Sequence, residues 1–242
     1  MHLPPEDLQL LYEDDAILAV AKPAGLHVFS SSRGERESLW SRLKEIRPGL
    51  AGVGDPSAPA FVHRLDRGTS GVLLAARTGP VYRRLRAAFE EGEIEKVYLA
   101  LVEGELTEAI EVELPIGSRY RRSAKVQVQL PGRRLRGVRP AWTGIEPLAV
   151  GDDFSLCRVK ILTGVRHQIR AHLSHLKHPV VGDRDYGAVR DILGLESRTF
   201  LHAWQIRLPH PVSGSDLQIA CPLPEDLLHI LKELGLDAPP GA

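Results

Sequence analysis

The sequence predicts an α+β fold built on a mostly antiparallel sheet. Two observations lead there: strand-like segments outnumber helical ones, and they occur in consecutive runs instead of alternating with helices. Turns such as Lys22-Pro23-Ala24-Gly25 punctuate those runs.

The elements follow in order. Residues 8–21 carry two short apolar segments around the acidic turn Glu13-Asp14-Asp15, the pattern of a hairpin. Residues 38–47 place Leu39, Leu43 and Ile46 at helical spacing behind Ser38, a ready N-cap. Residues 48–60, rich in Gly, Pro, Ala and Ser, read as a loop. Thr78-Gly79-Pro80 opens a second helix with Val81, Leu85, Ala88 and Phe89 as its apolar stripe and Gly92 near its end. Residues 94–103 are nearly all apolar after Lys96, as in a central strand. A further strand is expected over 155–162. Residues 166–177 place Ile169, Leu173 and Leu176 at helical spacing, with Arg166 and Arg170 four apart on one face. Residues 182–187 read as a loop and 198–208 as a strand. The last helix, 224–235, has Leu227, Leu228, Ile230, Leu231 and Leu234 as its buried face.

With 242 residues and 43% hydrophobic content the chain can bury a sizeable core, and its net charge is zero. Bulk charge therefore does not announce a nucleic-acid binder. Cys157 and Cys221 are the only cysteines, too few and too far apart for a zinc ribbon or a disulfide framework. The opening Met-His-Leu-Pro-Pro-Glu-Asp has neither the basic nor the apolar region of a signal peptide, and no apolar run is long enough to span a bilayer. The expectation is a reduced, cytoplasmic protein with no membrane partner. No repeat, low-complexity tract or linker divides it.

One segment breaks the charge balance. Between residues 119 and 139 lie Arg119, Arg121, Arg122, Lys125, Arg133, Arg134, Arg136 and Arg139, with no acidic residue among them. Val126 and Val128 alternate with Gln127 and Gln129, and Pro131-Gly132 is placed to fold the segment back as a basic hairpin. On a neutral protein such a hairpin reads as a phosphate-contacting arm.

The chemistry concentrates in residues 61–76. Asp66 sits between Arg64 and Arg67, ahead of a Gly-Thr-Ser-Gly turn and an apolar run. A carboxylate held on a loop among cations is set up to act as a nucleophile or base.

Five segments in order resemble the RluA-type pseudouridine synthases. They are Tyr12-Glu13-Asp14-Asp15 through Lys22-Pro23-Ala24-Gly25; His63-Arg64-Leu65-Asp66 with Thr69-Ser70-Gly71; Lys96-Val97-Tyr98-Leu99-Ala100-Leu101-Val102 with Gly104; Thr163-Gly164 with His167-Gln168-Ile169-Arg170, His178-Pro179 and Gly182-Asp183; and Leu201-His202-Ala203 with His210-Pro211. The resemblance implies the pseudouridine synthase fold, a mixed, mainly antiparallel sheet in two halves with a cleft between them, forming one catalytic domain over 1–242. It implies isomerisation of uridine in ribosomal or transfer RNA after the base is flipped out. Asp66 would be the essential catalyst, Tyr98 would lie against the uracil, and Arg170 would pair with Asp66 and orient it. Arg64, Arg67, Arg166, His167, Arg119, Arg121, Arg122 and Lys125 would bind substrate. No metal or other cofactor is expected, nor DNA, and the expected state is a monomer.

Two departures stand out. Family members usually carry an arginine directly after the Thr-Gly pair, where this chain has Val165 and places Arg166 one residue later. Many members also carry a small RNA-binding domain ahead of the catalytic one, whereas this sequence opens on the catalytic segment. RNA recognition would then fall to that domain alone or to it with a partner. Two other classes compete. A metal-dependent hydrolase would use the dense His167, His172, His175 and His178 with Asp183, but on a helix those spacings do not place the histidines on one face as an i, i+4 pair would. A non-catalytic RNA-binding protein would have no need of Asp66, Tyr98 and Arg170 together.

Overall fold

The computed structural model describes residues 8–30, 37–121, 123–190, 192, 195 and 198–242. In chain order the elements are β1 (Leu10–Glu13), β2 (Ile17–Lys22), α1 (Leu39–Ile46), β3 (Gly54–Asp55), β4 (Ala58–Pro59), β5 (Ser70–Ala76), α2 (Gly79–Glu91), β6 (Glu95–Glu103), β7 (Ile110–Glu113), β8 (Ile116–Ser118), β9 (Gln127–Val128), β10 (Arg136–Arg139), β11 (Trp142–Val150), β12 (Phe154–Ile161), α3 (Gln168–His175), β13 (Leu201–Pro209), β14 (Asp216–Ala220) and α4 (Glu225–Glu233). This is the expected α+β class. The chain divides into two compact units, Met1–Ile94 with Ala203–Pro222, and Glu95–His202 with Leu223–Ala242.

The first unit is organised by its buried strands. β2 and β5 pair antiparallel from Ile17↔Ala76 to Lys22↔Gly71, and every residue of β5 is buried. β1 pairs with β2 through the expected hairpin, β13 neighbours β5, and β14 pairs antiparallel with β13. Asp14 closes the β1–β2 turn. Its Oδ1 accepts the N–H groups of Ala16 and Ile17, at 2.7 and 2.8 Å. Its Oδ2 accepts the Tyr12 hydroxyl at 2.7 Å and His210 Nε2 at 2.9 Å, tying this turn to the one after β13. Burial alone would raise the Asp14 carboxyl. The four donors outweigh it and bring it down to about 2. Ser38 caps α1 in a reciprocal pair with Ser41, and Thr78 caps α2, which ends on left-handed Gly92. The expected loop at 48–60 contains a 3-10 turn at Pro48–Gly52 and the short β3–β4 pair.

In the second unit β6, β12, β11 and β7 lie side by side, each pair antiparallel. β6 is buried from Lys96 to Glu103. A separate three-stranded sheet has the order β10–β8–β9.

Three expectations are corrected here. The basic segment does not fold back on itself as a simple hairpin: the Pro131-Gly132 turn is present, but β9 and β10 flank β8, which separates them. The helix expected at 166–177 starts at Gln168, so Arg166 lies ahead of it and does not share a helix face with Arg170. On α4, Leu227, Ile230 and Leu231 are buried, but Leu228 is 37% exposed and Leu234 only half-buried.

Gly71 is where β5 must be bare. Its φ is +121°, and a Cβ built there would lie 2.2 Å from the Ala203 carbonyl oxygen. Gly71→Ala combines a disfavoured backbone with a backbone clash, so we expect a loss of about 2–4 kcal/mol. Urea unfolding of the variant beside wild type checks this, and an unchanged midpoint would refute the close approach.

Candidate active site

In the first unit Asp66 lies half-buried on the loop that feeds β5. Its carbonyl accepts the Thr69 N–H at 3.1 Å, closing the turn through Arg67 and Gly68. A second turn clamps this one. The Gly25 N–H donates to the Arg67 carbonyl at 2.8 Å, and Arg67 Nε returns a bond to the Gly25 carbonyl at 2.9 Å. Lys22, 1% exposed, donates through Nζ to the carbonyls of Pro23 and Arg67, at 2.9 and 3.3 Å. His63 Nε2 accepts the Leu74 N–H at 3.0 Å, pinning the loop to β5, and its ring lies 4.9 Å from that of Phe89. Arg64 is exposed. The structure thus brings Arg64, Asp66 and Arg67 together on one braced loop.

In the second unit Tyr98 sits on β6 opposite Val159 and is 7% exposed. Two residues earlier, Lys96 reaches the carbonyls of Leu162 and Thr163, at 3.1 and 3.2 Å, and so fixes the exit of β12. Burial brings its ammonium down to about 8.

Arg170 on α3 binds Asp183 in a two-pronged pair, Nε to Oδ2 at 2.6 Å and Nη2 to Oδ1 at 2.8 Å. The Asp183 side chain is 1% exposed and that of Arg170 10%. The guanidinium lies 4.7 Å from the centre of the Tyr186 ring. His167, the residue before α3, has a left-handed φ of 54° and shares a 2.9 Å hydrogen bond with the Tyr186 hydroxyl. That hydroxyl also accepts the Val126 N–H at 3.0 Å.

Beneath these residues runs a directional chain of hydrogen bonds. Thr163 Oγ1 accepts from Trp142 N–H at 3.2 Å and donates to Gln168 Oε1 at 2.9 Å. Gln168 Nε2 donates to the Trp142 carbonyl at 2.8 Å and to Thr143 Oγ1 at 3.1 Å. The Leu114 carbonyl, 2.9 Å from His172 Nε2, can only accept, so Nε2 carries the proton. His172 Nδ1 then accepts from Thr143 Oγ1 at 2.8 Å.

The family model for RNA pseudouridylate synthase matches residues 16–175, spanning the Asp66 loop, β6 and α3. The chain belongs to that family.

Among curated relatives, an uncharacterized RNA pseudouridine synthase of Chloroflexus aurantiacus is 40% identical over 88% of this chain and 65% of its own. The ribosomal large subunit pseudouridine synthase D of Xanthomonas campestris is 37% identical over 98% of this chain and 73% of its own. The chain thus spans just under two thirds of the first relative's length. Among solved structures, human RNA pseudouridylate synthase domain containing 4 superposes with a TM-score of 0.75 at 25% identity, covering 95% of this chain and 94% of that one.

The remaining predicted substrate residues lie in the second unit. Arg119 and Arg121 are exposed, with the Arg119 guanidinium 5.5 Å from the Tyr120 ring centre. Lys125 pairs with Asp185 at 3.1 Å, and Arg166 donates to the Ser123 carbonyl at 2.6 Å. Arg122 lies outside the described residues. Sequence reasoning gave no individual role to Lys22, Lys96, Gln168 or Tyr186, and gave His172 and Asp183 one only as metal ligands in a rival reading. A lone lysine in an apolar strand was the available signal for Lys96. The other five carry none without their partners. Of the histidines in the rival metal reading, His178 has its Nδ1 2.9 Å from the Glu103 carbonyl.

Two outcomes follow from this geometry. Removing the Asp183 charge breaks the two-pronged pair of a buried guanidinium and leaves the exposed Asp185, 3.8 Å away, as a weaker carboxylate partner, so Asp183→Asn is expected to cost about 3 kcal/mol in urea unfolding; a shift near zero would remove the pair from the frame. His172 is held below its ordinary value by burial, against the pull of the Leu114 carbonyl. The unfolded chain therefore takes up its proton first, and stability drops as pH falls below 6.5, the ordinary value, by up to about 1.4 kcal/mol per pH unit from this group. Ring nitrogen NMR tests it: the folded His172 ring stays neutral at a pH where a free histidine is half-protonated.

Proposed function

We propose that this pseudouridine synthase acts on large-subunit ribosomal RNA, converting a flipped-out uridine to pseudouridine with Asp66 as catalyst. The observation that carries the reading is Asp66 itself, a half-buried carboxylate on a loop braced by a second turn and fed directly into a wholly buried strand. A group so braced need not reorganise when it reacts. The choice of ribosomal RNA rests on likeness to relatives named for that substrate.

In this reading Arg64 holds the strand or fills the space the base leaves. The Asp66 carboxylate adds to the sugar or base, or takes the 2′ proton to give a glycal and later returns it; by either route the N1–C1′ glycosidic bond breaks, the uracil turns over, and a C5–C1′ bond forms with loss of the C5 proton and protonation of N1. Tyr98 lies against the uracil face and handles the C5 proton. Arg170, aligned by Asp183, is proposed to orient the catalytic carboxylate. The reaction is redox-neutral and needs only acid–base and nucleophilic steps, so the enzyme works without metal or organic cofactor, as a monomer in the cytoplasm. The basic segment 119–139 contacts phosphates.

Asp66→Asn keeps the shape and removes the nucleophile and base. We expect pseudouridine formation to fall at least about a hundredfold, with RNA affinity and thermal stability near wild type. Pseudouridine mapping on large-subunit ribosomal RNA and on transfer RNA from cells lacking the protein, incubated with each form, measures both the loss and the target. Turnover within a few-fold of wild type would take Asp66 out of the mechanism. Modification of the transfer RNA alone would overturn the substrate.

A further inference from the structure

The second unit contains a cavity of about 380 Å³ bounded by β8, the loop that follows it, β10 and the approach to α3. Its walls include Arg121, Arg139 and Arg166, and no carboxylate lines it. Its floor is apolar. Ile116 and Val126 are buried there in a cluster with Ala141, Ala171 and Tyr186, and Val165 packs against that cluster.

The backbone brings the cations to this place. β10 spends three residue steps, from Arg136 to Arg139, where β8 spends two, from Ser118 to Ile116. The extra step passes through Gly137, with a φ of 57°, and a bulge of this kind re-aims the strand so that Arg139 stands opposite Ile116 on the cavity side. Arg166 is steadied by its bond to the Ser123 carbonyl, itself on the cavity wall. Val165 packs against the apolar cluster, and the cation stands one residue along, at Arg166.

Three guanidinium groups around one concavity repel one another unless an anion lies between them. A phosphate answers that charge, and guanidinium planes above an apolar floor suit the flat face of a base. The volume falls within the range of small-ligand pockets, about 300–1,000 Å³. We propose that this cavity holds one nucleotide of the RNA strand, its phosphate on Arg121, Arg139 and Arg166 and its base against Val165, which the buried Ile116 and Val126 support from below. Neither Asp66, Tyr98 nor Arg170 lines the cavity, so the nucleotide held there is not the one that reacts. The inference deepens the reading of the chain as an RNA-modifying enzyme and rests on it.

The test is fluorescence anisotropy of the full chain with labelled hexaadenylate, whose bases cannot undergo the reaction, and with a ribose-phosphate hexamer lacking bases. Arg121→Gln/Arg139→Gln is expected to weaken hexaadenylate binding about tenfold near 0.1 M salt and to flatten the salt slope by about 0.7 for each phosphate no longer neutralised. Val165→Asp, which puts a negative charge on the floor, is expected to weaken it as well. Arg83→Gln/Arg84→Gln, the same charge change on exposed residues of α2, is expected to stay within about twofold. Equal losses from the two double variants would reduce the effect to bulk charge and overturn the site. Equal binding of the base-free hexamer to wild type would overturn the place given to the base. Pseudouridine formation by the same wild-type preparation on ribosomal RNA separates the two readings. If no pseudouridine forms while the cavity variants lose affinity, the functional reading falls and the site stands. Formation of pseudouridine with unchanged binding by the cavity variants means that the site falls alone.

Discussion

The pair between Arg170 and Asp183 is the constraint around which the third family motif is arranged. Taking an arginine and an aspartate out of water costs several kcal/mol per ion, recovered only with near-ideal geometry. Two bonds at 2.6 and 2.8 Å, in a planar fork, supply it. Lysine has the charge but not the fork. Because Asp183 lies beyond the end of α3, the pair sets where the following loop must return, and with it Tyr186, whose ring faces the guanidinium and whose hydroxyl meets His167 and Val126. One ion pair therefore organises the helix, its left-handed entry and the loop beyond it.

The Asp66 loop uses a different device. Here the Gly25 N–H donates to the Arg67 carbonyl, the Arg67 side chain donates back to the Gly25 carbonyl, and a buried lysine binds a carbonyl of each turn. Backbone carbonyls tolerate an ammonium that must stay in a dry place, since each bond partly replaces lost water. Lys96 repeats the device at the exit of β12. In both places a lysine that looks like the edge of a strand is a structural tie.

The strands were legible because continuous apolar runs such as Val97–Val102 leave little freedom of interpretation, and the caps at Ser38 and Thr78 were legible because capping is local chemistry. What escaped was set by tertiary partners. β8 is three residues, Ile116 to Ser118, too short to register as a period, so nothing in the sequence showed that it would separate β9 from β10. The start of α3 was misplaced because His167 takes a backbone conformation that non-glycine residues adopt rarely, and its bond to Tyr186, nineteen positions on, is set by the fold. Leu228 fitted the apolar stripe of α4 by spacing and still faces outward, since a stripe shows which face is apolar but not how wide the partner surface is. Asp66 was legible as a carboxylate among cations, whereas its brace at Gly25 and Lys22 required the fold.

Each compact unit is assembled from two stretches of chain, and this fixes an order on how the protein can come into being. The neighbour of β5 is β13, which follows it by well over a hundred residues, so the strand that carries the Asp66 loop has one flank open until synthesis has passed residue 209. The second unit waits longer still, because its last piece, Leu223–Ala242, comes after β14 in the chain. Contacts of such separation are slow to form, since the loop must close before the contact rewards it. Neither unit can be cut out as a continuous fragment, and a ribosome pausing midway through the chain would hold an exposed apolar strand edge of the kind that chaperones attend to.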